Sequence, residues 1–303
     1  ATDCKISYYD AINQNLMMAD CDDATCSTKT LTTVDSVTSA NTGLYTSIDC
    51  VTTTDCKISY QDVTNLNLMM ADCDDATCAT KTLTTVDSVT AANIGAYTSI
   101  YCLSSTDCKI AYNAPINFYL VMADCDNATC STKTLTVVDS ISWDNTGLYT
   151  SIYCISSTDC KISYYNYYNS DLKIADCDDA TCATKTLTTV DGADNVRNAG
   201  QYSSIYCSAT DDCKIAYYDA TNLNLMMADC NVATCSLTNM AGGYNIGNTS
   251  LYFNKIYAAN YYGKQTTISS FDIAENYKVL DESIQAGDIV TTDPAGDLVV
   301  AKS

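Results

Sequence analysis

The chain has 303 residues, 47% of them apolar, with 36 acidic against 15 basic side chains and a formal charge of −21, so it can fill a substantial core but repels nucleic-acid phosphates and anionic bilayers. It contains no histidine, which removes every Ser-His-Asp or Cys-His nucleophilic site and every histidine-ligated metal centre. Its longest apolar runs, such as Tyr119-Leu120-Val121-Met122-Ala123, fall far short of the roughly 18 residues that a membrane-spanning helix needs; neither nucleic-acid binding nor membrane insertion is expected.

From its first residues the chain repeats. The segment Cys4-Lys5-Ile6-Ser7-Tyr8-Tyr9 returns at Cys56, Cys108, Cys160 and Cys213, at spacings of 52, 52, 52 and 53 residues. Each copy holds short runs of apolar and β-branched residues separated by Asp, Asn, Thr and Gly, which is the pattern of strands joined by turns. In the third copy these strands fall near Tyr97–Cys102 (A), Cys108–Tyr112 (B), Phe118–Asp124 (C) and Thr132–Asp139 (D). The A–B, B–C and C–D links are short enough for antiparallel hairpins, and a longer Gly- and Asn-bearing loop carries D to the next A. A four-stranded unit of this length predicts an all-β fold, a β-propeller of antiparallel four-stranded blades: five, or five plus a degenerate sixth. Tyr149-Thr150-Ser151-Ile152-Tyr153 suits a crowded inner strand, and Leu16-Met17-Met18 and Leu68-Met69-Met70 suit the packing between blades.

The 19 cysteines form two series. Cys21/Cys26, Cys73/Cys78, Cys125/Cys130, Cys177/Cys182 and Cys230/Cys235 bracket the C–D turn, and Cys50/Cys56, Cys102/Cys108, Cys154/Cys160 and Cys207/Cys213 bracket the A–B turn. Facing positions in a hairpin satisfy disulfide geometry, so each pair is expected to close locally, as structural disulfides in an oxidising, extracellular or cell-surface compartment. Cys-x-x-Cys is absent, which leaves zinc without its usual spacing. Cys4 is the odd one: by analogy with its repeat-mates its partner belongs before Ala1, so the chain is expected to start inside a blade that lacks its A strand. Leu251–Ala258 matches an A strand. It can return beside Ile6–Tyr9 to seal a ring, or add to a second molecule as a donated strand and build a filament. As a third alternative, residues 251–303 form a degenerate blade with strands near Thr266–Phe271, Tyr277–Leu280, Asp288–Thr292 and Leu298–Ala301.

The repeat, with its Ile-Ser-Tyr-Tyr-Asp, Leu-Met-Met-Ala-Asp-Cys, Thr-Thr-Val-Asp-Ser and Tyr-Thr-Ser-Ile elements, resembles the tandem propeller-type repeats of large secreted or surface-attached bacterial proteins over residues 1 to about 260. Its cysteine density departs from those repeats, whose hairpins mostly carry Gly, Asn or Asp. The tail, Ser270-Phe271-Asp272-Ile273-Ala274-Glu275-Asn276-Tyr277 and Ala286-Gly287-Asp288-Ile289-Val290, is similar to short β segments near the C-termini of fibre-like surface proteins and phage tail fibres. The resemblance implies display or attachment and carries no catalytic residues. It also implies two parts, repeats over 1–260 and a β extension or assembly segment over 261–303.

Candidate chemistry is sparse. Asp20, Asp22 and Asp23, repeated at Asp72, Asp74, Asp75 and at Asp176, Asp178, Asp179, could hold Ca²⁺, but the spacing of a calcium loop is missing and aspartates favour turns without metal, so no cofactor is expected. Lys5, Lys57, Lys109, Lys161 and Lys214 on B, and Lys29, Lys81, Lys133 and Lys185 on D, suit cross-strand ion pairs and edge protection. Carboxylates spread evenly over the repeats, whereas catalysis needs an asymmetric constellation, so no enzyme is expected. Among 24 tyrosines, the excess at Tyr164, Tyr165, Tyr167 and Tyr168 marks the expected contact patch. The sequence thus predicts a non-enzymatic structural or adhesive protein that associates with itself or with a surface protein or glycan. The alternatives are a monomeric glycan- or protein-binding propeller, or a glycan-active enzyme.

Overall fold

The computed structural model describes residues 4–36, 41–88, 94–114, 119–140, 145–192, 197–231, 234–239, 278–279, 290–292 and 299–302. It has two compact units, Ala1–Asn245 and Ile246–Ser303. In the first unit β1 (Cys4–Asp10), β2 (Asn15–Cys21) and β3 (Lys29–Asp35) form a three-stranded sheet in that order. Four sheets of four follow: β4 (Thr42–Thr52), β5 (Asp55–Asp62), β6 (Asn67–Cys73) and β7 (Lys81–Ser88); then β8 (Ala96–Ser104), β9 (Asp107–Ala114), β10 (Tyr119–Cys125) and β11 (Lys133–Asp139). The last two contain β12 (Leu148–Ser156), β13 (Asp159–Asn166), β14 (Asp171–Cys177) and β15 (Lys185–Asp191), and β16 (Ala199–Ala209), β17 (Asp212–Asp219), β18 (Asn224–Asn231) and β19 (Thr234–Asn239). All are antiparallel meanders, which places the all-β repeat where the strand pattern put it. β4, β8, β12 and β16 pack side by side as inner strands, and β1 lies against β4. No substantial contact among the described strands joins the fifth sheet back to the first.

The apolar pattern explains the layering. The second strands β5, β9 and β13 are covered on both faces, as in β9, where every residue after Asp107 is buried, whereas β17 in the last sheet is buried at alternate residues and the outer strand β11 exposes Leu135 and Val137. The core therefore lies between sheets. Leu68, Met70, Val86 and Ile94 of one repeat pack on Ile100, Ile110, Tyr112 and Val121 of the next, and Leu120, Met122 and Val138 pack on Ile152, Ile162 and Tyr164 in turn. The alternate methionine, Met69, is only half-buried, as the period of two requires.

Polar links repeat at each of these boundaries. The B-strand tyrosine hydroxyl donates to the aspartate that ends the preceding outer strand: Tyr60 to Asp35 at 2.7 Å, Tyr112 to Asp87 at 2.6 Å, Tyr164 to Asp139 at 2.6 Å and Tyr217 to Asp191 at 2.7 Å. Lys81, Lys133 and Lys185 each donate across the outer rim to the carbonyl of Thr33, Thr85 or Val137, at 3.1 Å. The inner strands are joined by serine rungs, with the amides of Ile100, Ile152 and Ile205 donating to Ser47, Ser99 and Ser151. The B-strand lysines do not guard an edge. Lys57 and Lys109 are only 2% exposed, and each of Lys57, Lys109 and Lys161 sits between two aspartates, Asp55 and Asp72, Asp107 and Asp124, Asp159 and Asp176. Burial disfavours the ammonium, but the hydrogen bonds it donates to the Asp55 and Asp72 carboxylates, together with their charge, outweigh it and hold Lys57 above its ordinary value, so it stays charged.

Glycine sets the distance between repeats. Gly43 and Gly200 have φ of +99° and +111°, and a Cβ at either would fall 2.6 Å from the Cα of Leu16 or Leu172 on the preceding sheet. Gly43→Ala combines a left-handed backbone with a clash against backbone atoms, so we expect a loss of about 1–3 kcal/mol. Urea unfolding would measure it, and a loss below about 0.5 kcal/mol would mean the sheets can separate freely.

In the second unit β20 (Lys278–Val279) pairs in parallel with β22 (Val299–Lys302), which pairs antiparallel with β21 (Val290–Thr292), giving the order β20-β22-β21. That order differs from the meander of the repeats, and the three strands lie where the sequence pattern puts those near Tyr277–Leu280, Asp288–Thr292 and Leu298–Ala301. The A-like segment Leu251–Ala258, the strand expected near Thr266–Phe271 and the boundary near residue 260 lie outside the described residues.

Candidate functional site

Two devices divide the inner strands. At one end the disulfides close: Cys50–Cys56, Cys102–Cys108, Cys154–Cys160 and Cys207–Cys213 join A to B, with Cα–Cα distances of 4.0 Å. Cys21–Cys26, Cys73–Cys78, Cys125–Cys130, Cys177–Cys182 and Cys230–Cys235 close the C–D hairpins. The two series meet, because Cys56 pairs in register with Cys73, and Cys108 with Cys125. Cys4 is free and exposed.

The other end carries a row of tyrosines. Each inner strand breaks register just after its start, between Leu44 and Ser47, Ala96 and Ser99, Leu148 and Ser151, and Gln201 and Ser204. Within these bulges Tyr45, Tyr97, Tyr149 and Tyr202 adopt φ of 53° to 55°. For an aromatic residue this left-handed backbone is strained, and a bulge is the device that re-aims a side chain. The four rings form a continuous row, with centroids 4.5 Å apart for Tyr45–Tyr97, 4.7 Å for Tyr97–Tyr149 and 4.3 Å for Tyr149–Tyr202. A second row, Tyr101–Tyr153–Tyr206, runs nearer the disulfides at 4.8 and 5.0 Å.

A cavity of about 360 Å³ opens on the first row, lined by Tyr45, Ala96, Tyr97, Asn113, Asn145, Leu148, Tyr149, Tyr165, Tyr167 and Gln201. It lies where the repeats diverge. Asn113 takes the place of Gln61 and Tyr165, Tyr167 that of Val63 and Ala220, and Gln201 that of Leu44 and Leu148. Asn113 Nδ2 donates to Thr146 O at 2.5 Å and approaches Asn145 Oδ1 at 3.4 Å, while its buried Oδ1 has no partner among the described residues. Tyr165 Oη donates to Asn198 Oδ1 at 2.8 Å, and the Tyr167 ring stands at 85° to that of Tyr165, 6.5 Å away. Burial, then the neighbouring Tyr45 and Tyr149, push the Tyr97 phenol well above its ordinary 10.0. Burial, then Tyr202, raise Tyr149 in the same direction. These hydroxyls stay neutral at physiological pH, and the lining carries no charged side chain.

The tyrosines singled out in the sequence separate here. Tyr164 and Tyr165 are buried, at 0% and 2% exposure, whereas Tyr167 and Tyr168 are 64% and 73% exposed. Tyr164 serves the repeat boundary through Asp139, Tyr165 and Tyr167 line the cavity, and Tyr168 stands outside it. Tyr97, Tyr149, Asn113, Asn145 and Gln201 join them without having been marked for contact by the strand pattern. A comparison of aligned repeat positions could have shown Asn113, Tyr167 and Gln201, because they break the pattern.

The acidic turns use their carboxylates internally. Asp23 accepts from the amides of Thr25, Ser27 and Thr28 and from the Thr25 and Ser27 hydroxyls, Asp75 and Asp179 accept from the same three amide positions and from the Thr77 or Thr181 hydroxyl, and Asp20 pairs with Lys5. Among the described residues no group of three His, Cys, Asp or Glu is placed to hold a metal ion. Hydrogen bonds, led by the Thr25 hydroxyl at Asp23, the Thr80 amide at Asp75 and the Thr184 amide at Asp179, hold all three carboxyls far below 3.8. With folded values depressed, their contribution to stability is complete above the unfolded value of 3.8 and is lost as pH falls through the lower folded values. The melting temperature is therefore expected to drop between about pH 4 and about pH 2. Asn127 already caps the equivalent turn, accepting from the Ser131 amide at 2.9 Å, so converting Asp23, Asp75 and Asp179 to Asn should flatten that slope in a melting series. An unchanged slope would place the acid sensitivity elsewhere.

No protein-family profile and no curated protein matches the sequence. Among solved structures, a protein of unknown function from Dyadobacter fermentans superposes with a TM-score of 0.51 at 8% identity, over 74% of this chain and 62% of that one. The exo-β-1,3-galactanase of Phanerochaete chrysosporium, solved with galactose, gives 0.46 at 10% identity over 78% and 64%, and the NanB sialidase of Streptococcus pneumoniae gives 0.45 at 9% over 72% and 36%. The chain thus spans less than two thirds of each. At such identities these likenesses bear on the fold alone, an all-β repeat of propeller-like sheets.

Proposed function

We propose that this is a non-enzymatic extracellular binding protein, an adhesive surface component whose contact surface is the tyrosine cavity. The observation that carries the reading is the lining itself: five tyrosines and three amides, with no carboxylate. Most glycoside hydrolases place two carboxyl groups about 5–9.5 Å apart around the scissile bond, and this lining has none. Rings and amides recognise a partner without transforming it. Nine disulfides fit work in an oxidising compartment. In a plate assay on immobilised extracellular glycans and proteins, the native protein should be retained and release no product, and Tyr167→Ala should weaken retention about tenfold. Product release, or retention indifferent to Tyr167, overturns the reading.

The first sheet favours self-association as a second reading. Ile6 is 44% exposed, whereas its counterparts Ile58, Ile110, Ile162 and Ile215 are at 0%, and Cys4 is free where every counterpart is bonded. A filament subunit joined through this face should form long assemblies by negative-stain microscopy that Ile6→Asp disperses. Monomers under all oxidising conditions would rule it out.

A further inference from the structure

The tyrosine cavity carries more chemical detail than a generic contact surface, and the detail points to one class of ligand. Three properties of its lining act together. The aromatic wall is a row of tilted rings, Tyr97 against Tyr149 and Tyr149 against Tyr202, with Tyr167 set across from it on the Tyr165 edge. Such faces accept the C–H side of a flat aliphatic ring. The polar groups between them are amides: Asn113, Asn145 and Gln201. Gln201 Nε2 donates to Asn198 Oδ1 at 3.2 Å, which turns its carbonyl oxygen to acceptor duty, and Asn113 Oδ1 is a buried acceptor with no donor. The two acceptors that hold Asn113 Nδ2, Thr146 O and Asn145 Oδ1, fix which end of that amide is the oxygen. Asn113 lines the cavity, and a buried acceptor left without a donor is satisfied by one that reaches it. Finally, the lining is uncharged and the whole chain carries −21, which disfavours anionic ligands.

We propose that the cavity binds an uncharged saccharide unit, its ring face on the Tyr97–Tyr149 row and Tyr167, and its hydroxyls on Asn113, Asn145 and Gln201; this rests on the binding reading above. A saccharide alone uses all three properties. A quaternary ammonium group would satisfy the rings and the chain's charge, but it brings no hydrogen-bond donor for the orphaned acceptor. A sialic or uronic acid brings hydroxyls together with a charge that the cavity has no cation to meet. A peptide strand needs an open sheet edge or a long groove, and about 360 Å³ lies near the small end for ligand pockets.

The experiment is an array of neutral glycans, sialylated and uronic-acid glycans, and immobilised choline, with a displayed peptide library in parallel, probed with the native oxidised chain and four variants. Tyr167→Ala, Asn113→Ala and Gln201→Leu should each weaken capture of neutral glycans about tenfold, and Tyr168→Ala should stay within about twofold. Asn113 also holds Thr146, so its variant is read only alongside Tyr167→Ala and Gln201→Leu, whose side chains reach the surface. Calorimetry with the captured sugar as free ligand then confirms a single competing site. Tyr167-dependent capture of acidic glycans, choline or peptides overturns the ligand class and leaves the binding reading standing. Neutral-glycan capture that ignores Tyr167 and Gln201 overturns the cavity as the site. No capture by any arm overturns both.

Discussion

Asp139→Ala is expected to destabilise the protein by about 3–5 kcal/mol, more than the same change at Asp35. Asp139 accepts from Tyr164 Oη at 2.6 Å and from Lys173 Nζ at 2.7 Å, and its side chain is only 4% exposed. Lys173 stands in the row that holds Met17 and Met69 in other repeats, and its ammonium lies 5.7 Å from the Tyr164 ring centroid. Removing the carboxylate strands a buried hydroxyl and a largely buried cation at once. At Asp35 the same truncation strands the buried Tyr60 hydroxyl, worth about 1–3 kcal/mol. Urea unfolding of both variants decides the matter, with Asp139→Asn as an intermediate that keeps the acceptor for Tyr164. Equal losses at Asp35 and Asp139 would show that Lys173 takes no part.

Loss of the disulfides should be the larger global effect. Each bridge closes a loop of five or six residues in sequence separation, which by loop-closure entropy is worth about 2 kcal/mol. The double variant Cys102→Ser/Cys108→Ser should lose that amount, and complete reduction should bring the melting transition down by far more than any point substitution. Thiol titration under denaturing conditions supplies the control: one reactive thiol in the oxidised protein, from Cys4, and 19 after reduction. A reduced protein that melts with the oxidised one would show that the packing between sheets alone sustains the fold.

Strand order and sheet class were legible in the sequence because the repeats restate one period-two pattern, so that Leu68 and Met70, or Leu120 and Met122, mark the same buried face twice over. Turn chemistry was legible for the same reason: Asp23, Asp75 and Asp179 recur at one offset and act as caps. The cavity was not. Its polar lining depends on Asn113 and Thr146, 33 residues apart, and its wall depends on a left-handed backbone at Tyr97 and Tyr149 that nothing in tyrosine's own preferences announces. The contact patch was placed by counting tyrosines, and counting cannot distinguish Tyr164, turned inward to Asp139, from Tyr167, turned outward. The cross-strand ion pairs of the B-strand lysines were legible, as Lys57 with Asp72 and Lys109 with Asp124 show, but their burial was not, because a one-dimensional pattern does not say that β5 and β9 are covered on both faces.

The nearest-neighbour arrangement of the staples has a consequence for biosynthesis. Eighteen cysteines could in principle be joined in very many ways, yet every native bridge links a cysteine to its next one along the chain after Cys4. Short-range closure is the fastest encounter an unfolded chain makes, so oxidation of the emerging chain would arrive at the native connectivity hairpin by hairpin, without reshuffling by an isomerase. Kinetic preference and thermodynamic product coincide.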